Sequence, residues 1–320
     1  MTGGTIKAPA GRTAWLRFAG SAGLLAAAVA FLPKRDLAAA MRQVRFGAPA
    51  AALAIYLGIH LLSSLKWRLV LNRCGAGIGP RAGIESYFAG LFSNLFLPSL
   101  IGGDVVMAAL ASGKSRQPAG IVTGSLLNRL LDLVALTLLL CVAAAVEWRA
   151  WSLRNPGPLR VVGTAGLGVV LLPAACGALA LVQPSWLPAA GRRLLSRHAA
   201  AFEALRRPRL LALPLAASLG MQFSLAVLTA WIGRDCGIHL GIATWVLAWS
   251  LAKLVALLPI TAGGIGARAV ALAGLLAPFG VPLAKSAALG VEWDAVVISG
   301  SLAAGAIWKL LSWRGHHRLP

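Results

Sequence analysis

Apolar residues in this chain come in long unbroken runs, not in the narrow stripes of a surface helix or the alternation of a half-buried strand. Six runs reach the roughly 20 residues that a helix needs to cross a hydrocarbon core of about 30 Å. They occupy 15–32, 47–65, 119–146, 159–182, 210–232 and 286–311. The polar positions fall between them, as short connectors rich in Arg and Lys with Trp beside several run ends. Such spacing predicts an all-α polytopic membrane protein, a single transmembrane domain over 1–320. The run at 15–32 follows Lys7, Arg12 and Arg17, the flank of a signal peptide or a signal anchor. Small residues at 37–41 offer a cleavage site, but the charged Lys34-Arg35-Asp36 run directly after Leu32 is a poor context for it. A retained first helix, with 1–13 as a cytoplasmic segment, is the expectation.

Two further apolar segments do not read as simple spans. Residues 83–111 carry Glu85, Asn94, Pro98, Gly102, Gly103 and Asp104, and residues 240–279 are interrupted by Pro259, Gly263, Gly264 and Gly266. Laid side by side they share one pattern: Leu97-Pro98-Ser99-Leu100-Ile101-Gly102-Gly103 matches Leu258-Pro259-Ile260-Thr261-Ala262-Gly263-Gly264, half the chain later. Proline removes a backbone donor and restricts the residue before it, and paired glycines lower helix propensity. Each segment is therefore expected to be a helix, a break and a second helix. Within lipid such a break persists only where protein or a wet cavity shelters it. Three runs lie between the two segments, so a first re-entrant hairpin entering from one side implies a second entering from the other. Inverted repeats with matched breaks mark transporter sites near the bilayer midplane, where half-helix N-termini offer free N–H donors to anions.

Charge refines this picture. Lys and Arg number 30 against 9 Asp and Glu, which gives a net charge of +21. No basic patch with interleaved aromatics or nucleic-acid motif accompanies that excess, so it reads as topology and attraction to anionic headgroups, with no nucleic-acid partner. The densest basic connector holds Arg192, Arg193, Arg197, Arg206, Arg207 and Arg209. Placing it inside puts both termini in the cytoplasm of an inner (plasma) membrane, with 312–320 as a basic tail. Lys34, Arg35, Arg42 and Arg45 then fall outside, against the charge rule. Hydrophobic residues make up 58% of the chain and charged ones 12%, too few to cover a water-soluble globule. Cys74, Cys141, Cys176 and Cys236 are scattered singly, with no metal-ligand spacing.

The two broken segments carry a resemblance. NLFLPSLIGGDVV from Asn94 and LAKLVALLPITAGGIGAR ending at Arg268 are similar to signatures of the lysylphosphatidylglycerol synthase transmembrane-region family, and SSLKWRLVL before Asn72 and NRLLDLVAL from Asn128 fit it too. The resemblance implies a flippase-like protein that translocates or presents an anionic or polar-headgroup lipid across a bacterial-type inner membrane. A non-transporting accessory to aminoacyl-phospholipid or hopanoid synthesis, partnering a lipid-modifying enzyme, is the alternative it leaves open. The chain departs from the family at Met107, where Arg is usual, at Ala269, where Glu is usual, and at Asn128, often Asp. These departures imply an altered substrate or an impaired copy. No sequence follows that could fold into the soluble aminoacyl-transfer domain, so synthase activity is not expected of this chain.

A charge at the membrane centre costs about 2.5–3.5 kcal/mol on insertion scales, so each one retained there needs a reason. Arg129 and Asp132, spaced i and i+3, can pair on one helix face, either as a bland ion pair or with Arg129 holding a lipid phosphate that Asp132 orients. Lys253 and Arg268 flank the second break, so folding back there brings both cations to one cavity, unless both snorkel to an interface. Asp104 caps the half-helix after the glycines or contacts substrate, and Asn94 bonds exposed backbone or a headgroup. Glu292 is a candidate for proton coupling, with a headgroup-level position as the plainer reading; Asp294, two residues on, points to another face. His60 reads as a hydrogen-bonded packing residue. No metal cluster, nucleophile constellation or nucleotide loop is legible, so neither a cofactor nor enzymatic activity is expected.

Overall fold

The computed structural model describes residues 48–97, 99–115, 117–154, 208–256 and 265–316, and among these every regular element is a helix. In chain order they are α1 (Ala48–Arg73), α2 (Pro80–Ser93), α3 (Ser99–Ser112), α4 (Pro118–Arg154), α5 (Pro208–Asp235), α6 (Ile242–Ala256), α7 (Ala267–Leu276) with a 3-10 turn over Ala277–Phe279, and α8 (Leu283–His316). Four are long and apolar enough to cross a membrane: α1, α4, α5 and α8. They match four of the six expected runs. The runs 15–32 and 159–182, the segment 1–13 and most of the densest basic connector lie outside the described residues. Helix α8 runs on to His316, so the basic tail begins as helix.

The bundle is turned inside out relative to a water-soluble protein. Leu62, Val105, Val142, Val146 and Leu213 are each at least 60% exposed, while Lys66, Gln222, Arg268 and Asp294 are buried. Apolar side chains face outward at no cost only where the surroundings are themselves apolar. This is the surface of an integral membrane protein.

Helices α2, α6 and α7 have 14, 15 and 10 residues. At 1.5 Å per residue they extend about 15–22 Å, short of the roughly 30 Å core. Each therefore needs its neighbour. Helix α2 opens with Pro80 in its first turn, where a missing N–H costs nothing, and packs along α3; α6 packs along α7. The first unit turns over at residues 94–97, where the N–H groups of Leu95, Phe96 and Leu97 bond back to Phe92 and Ser93 carbonyls. Pro98, Pro259, Gly263 and Gly264 lie outside the described residues.

The glycine pair sits differently from expectation. Gly102 and Gly103 belong to α3, not to the break, because a helix in an apolar environment keeps its own hydrogen bonds despite poor propensity. Their value is close approach. A Cβ on Gly103 would strike the Asn94 side chain and the Gly90 carbonyl, and one on Gly90 would strike Met107 and the Gly103 carbonyl. Gly103→Val is expected to force α2 and α3 apart and lower stability by about 1–3 kcal/mol, the usual range for overpacking. Thermal unfolding in detergent measures it, and an unchanged midpoint would contradict the close contact.

The two units lie at opposite ends of α4. Glu85 of α2 pairs with Lys114, just past α3 and four residues before α4 begins, at 2.6 Å. Thr244, at the start of α6, donates to Glu147 near the far end of α4 at 2.8 Å. Those ends are separated by about 45 Å along the helix.

Candidate functional site

Midway along α4, between α1, α5, α8 and described residues of both helix pairs, lies a partly open cavity of about 170 Å³ lined by charged and aromatic side chains. All six candidate binding residues, Asn94, Asp104, Arg129, Asp132, Lys253 and Arg268, line it. They come from a tip, α3, α4, α6 and α7, so no single helix holds more than two. Two positions that depart from the family, Met107 and Asn128, line it as well; Ala269 instead packs against Gly290 of α8.

The pairing differs from the local expectation. Arg129 and Asp132 share a helix but each reaches across to another one. Arg129 Nη1 lies 3.4 Å from Asp104 Oδ2, and Asp132 Oδ1 takes the ammonium of Lys66. Asp132 also accepts from the Ser218 hydroxyl at 2.8 Å and from Asn128 Nδ2 at 3.1 Å, and Lys66 donates to Ser218 at 2.9 Å. Lys66 reads in the sequence as an interfacial anchor that ends its run. In the structure α1 continues to Arg73, which carries Lys66 into the bundle with its side chain only 3% exposed. Helical continuation past it, through SSLKWRLVL, is the signal that points to this role.

Asp104 is not a cap. Helix α3 starts five residues earlier, so its carboxylate projects from the helix side toward Arg129. Asn94, at the C-cap of α2, turns its Oδ1 to the Gly103 N–H at 2.9 Å and so performs the backbone-bonding role. At the second tip, Gly266 adopts φ 76°, a conformation that strains any residue with a side chain, and its N–H donates to Asp294 Oδ2 at 2.9 Å. The Gly103 and Gly266 N–H groups are thus both satisfied by side chains of the protein.

Lys253 donates to Gln222 Oε1 at 2.8 Å and lies 5.7 Å from the Trp249 ring centre, which the Arg268 guanidinium also approaches to 5.7 Å. Both cations lean on an indole face whose negative quadrupole holds them. Both side chains turn into the cavity, and Arg268 is buried there. Behind Arg268 stands Asp294, with Oδ1 4.0 Å from Nη1. Tyr56, His60, Tyr87 and Trp293 complete the aromatic wall; His60 Nδ1 and the Tyr87 hydroxyl are 3.0 Å apart, which bears out a hydrogen-bonded histidine. Tyr56, Tyr87, Gln222 and Trp249 carried no local sequence signal, since apolar runs containing one aromatic or amide residue are ordinary.

Glu292 lies off the cavity. It is buried, and the Cys236 thiol donates to its Oε2 at 3.6 Å. Burial, and the Glu292 carboxylate beside it, push that thiol up to about 12 and keep it protonated as a donor. Glu292 therefore sits beside the end of α5, apart from the residues that line the cavity. Among the described residues no three of His, Cys, Asp and Glu converge in a way that could hold a metal ion.

The chain matches the family described as "Lysylphosphatidylglycerol synthase TM region" over residues 14–305, the family its signatures resemble. No curated protein and no solved structure matches it.

Proposed function

Because the chain belongs to the lysylphosphatidylglycerol synthase TM region family, we propose that it moves a polar-headgroup lipid between leaflets by lodging the headgroup in the central cavity while the acyl chains stay in the bilayer. One observation carries the reading: a cavity lined by Lys66, Arg129, Lys253 and Arg268 sits inside a bundle whose outer surface is apolar. Buried charges of this kind in membrane helices are costly and mark substrate paths. Its volume, about 170 Å³, is below the roughly 300–1,000 Å³ of pockets that enclose a whole ligand, which suits a headgroup alone.

The fold supports the same mechanism. The α2–α3 and α6–α7 pairs, entering from opposite ends of α4 and meeting at the cavity, form the two re-entrant hairpins of an inverted repeat. Rocking of one half against the other then exposes the cavity to each leaflet in turn. The chain acts in an inner membrane with cytoplasmic termini and performs no covalent chemistry.

Purified protein in phosphatidylcholine vesicles is expected to accelerate leaflet exchange of a fluorescent polar-headgroup phospholipid well above the protein-free rate. Saturable binding of the lipid without any acceleration would replace transport by presentation to a partner enzyme.

A further inference from the structure

The lining residues are unbalanced in a way that bears on the headgroup. Four cations, Lys66, Arg129, Lys253 and Arg268, face two carboxylates, Asp104 and Asp132. Both carboxylates are engaged: Asp132 by Lys66, Ser218 and Asn128, and Asp104 by Arg129. With Asp294 behind Arg268, three carboxylates stand against four cations, and the positive excess falls at Lys253. Arg268 has Asp294 behind it at 4.0 Å, while Lys253 has only the neutral Gln222 and the Trp249 face among its described contacts.

Hydrogen bonding repeats the asymmetry. Among the described lining residues five buried donors lack an acceptor: Arg129 Nη2, Arg268 Nε and Nη1, Trp249 Nε1 and Trp293 Nε1. Two buried acceptors there lack a donor, Asn128 Oδ1 on the lining and Asp294 Oδ1 behind Arg268. Arg268 is 95% buried, so it has no bulk water to turn to, and an orphaned buried donor is costly. An oxyanion with several lone pairs would satisfy this set; an ammonium would add donors and like charge to a site already oversupplied with both.

We propose that the cavity is selective for a headgroup that is a bare phosphate mono- or diester oxyanion, bound between Lys253 and Arg268 over Trp249, and that it rejects headgroups carrying an ammonium. The inference rests on the reading of the cavity as a lipid-headgroup site and adds its charge class. A headgroup ammonium brought to Lys253 meets like charge, and among the described lining residues both carboxylates, Asp104 and Asp132, are already paired with a cation. Specificity here comes from the repulsive element as much as from the attractive one.

The test uses the full chain in phosphatidylcholine vesicles doped with a trace of one fluorescent lipid: phosphatidylglycerol, phosphatidylethanolamine, or phosphatidylglycerol esterified with lysine. Phosphatidylglycerol is expected to exchange about tenfold or more faster than either ammonium-bearing lipid. Equal rates for all three would overturn the selectivity and leave lipid transport standing. Exchange of none would overturn transport, and the selectivity is then judged by thermal protection in detergent, where short-chain phosphatidylglycerol is expected to raise the unfolding temperature and the ammonium lipids are not. Protection by inorganic phosphate with none by the lipid would overturn the lipid source. Gln222→Glu places a carboxylate against Lys253 at almost unchanged volume and is expected to cut the preference by about tenfold. If that variant melts like the wild type and keeps its preference, the oxyanion does not lie at Lys253.

Discussion

Lys66→Met is expected to destabilise the protein by about 3 kcal/mol, near the low end of the roughly 3–5 kcal/mol that follows when one partner of a buried ion pair is removed. Methionine fills much of the lysine volume, so the loss is electrostatic. Asp132 would stay in the bundle with its cation gone, held only by the Ser218 and Asn128 hydrogen bonds. Its side chain keeps 24% exposure toward the cavity, which is why the low end of the range applies. Asp132→Leu alone strands the Lys66 ammonium, 3% exposed, and should cost at least as much. The double variant removes both charges, and an apolar pair of similar volume is often as stable as the ion pair it replaces. It is therefore expected to recover most of the loss. Denaturant or thermal unfolding in detergent across the four proteins reads this directly. Additive losses in the double variant would show that the two side chains do not interact.

Asp294→Ala is expected to combine a loss of stability of about 3–5 kcal/mol with loss of lipid exchange, because it strips the buried counter-charge from Arg268. Asp294 is 2% exposed and serves two groups, the Arg268 guanidinium and the Gly266 N–H at the start of α7. Alanine leaves both unpartnered. Asp294→Asn separates the two functions: its amide oxygen can still accept from Gly266 at nearly constant volume, while the charge is gone. Stability is expected to fall by less than in the alanine variant, and lipid exchange to fall in both, since Arg268 is no longer held in register with Lys253 over Trp249. Normal exchange by a folded Asp294→Ala protein would remove Asp294 from any positioning role.

Between the described residues and the sequence, agreement is closest where length and composition alone decide. The runs at 47–65, 119–146, 210–232 and 286–311 all appear as long helices, because an apolar segment in lipid can satisfy its backbone only by forming one. Their ends moved by several residues; α1 runs eight residues past Leu65, because Lys66 and Arg68 find partners in the protein instead of water. The helix–break–helix reading of 83–111 also holds, although the break precedes the glycines. A proline and two glycines say that backbone is unusual nearby, but which of them sits in the turn depends on how tightly the two helices pack. At Gly90 and Gly103 that packing is a backbone contact.

The candidate site divides the same way. Each intramembrane charge was legible as costly and therefore purposeful, and Asn94, Asp104, Arg129, Asp132, Lys253 and Arg268 do converge on one cavity. Their partners were not legible. The i, i+3 spacing of Arg129 and Asp132 offered a local pair, yet Asp104 and Lys66, far away in sequence, take those roles. A long flexible side chain chooses the counter-ion that relieves the most desolvation, and that choice is made by neighbouring helices.

By itself the sequence determined that this is an all-helical membrane protein of the lysylphosphatidylglycerol synthase TM region family, with two interrupted segments and a handful of charges that lipid would not tolerate unpaired. Those are properties of segments one at a time, fixed by transfer free energy and backbone hydrogen bonding. Only the tertiary structure decided that Lys66 is buried, that Glu292 lies off the cavity, and that donors outnumber acceptors where the two helix pairs meet. Those are properties of pairs distant along the chain, and a charge balance exists only once packing has set which groups share a space.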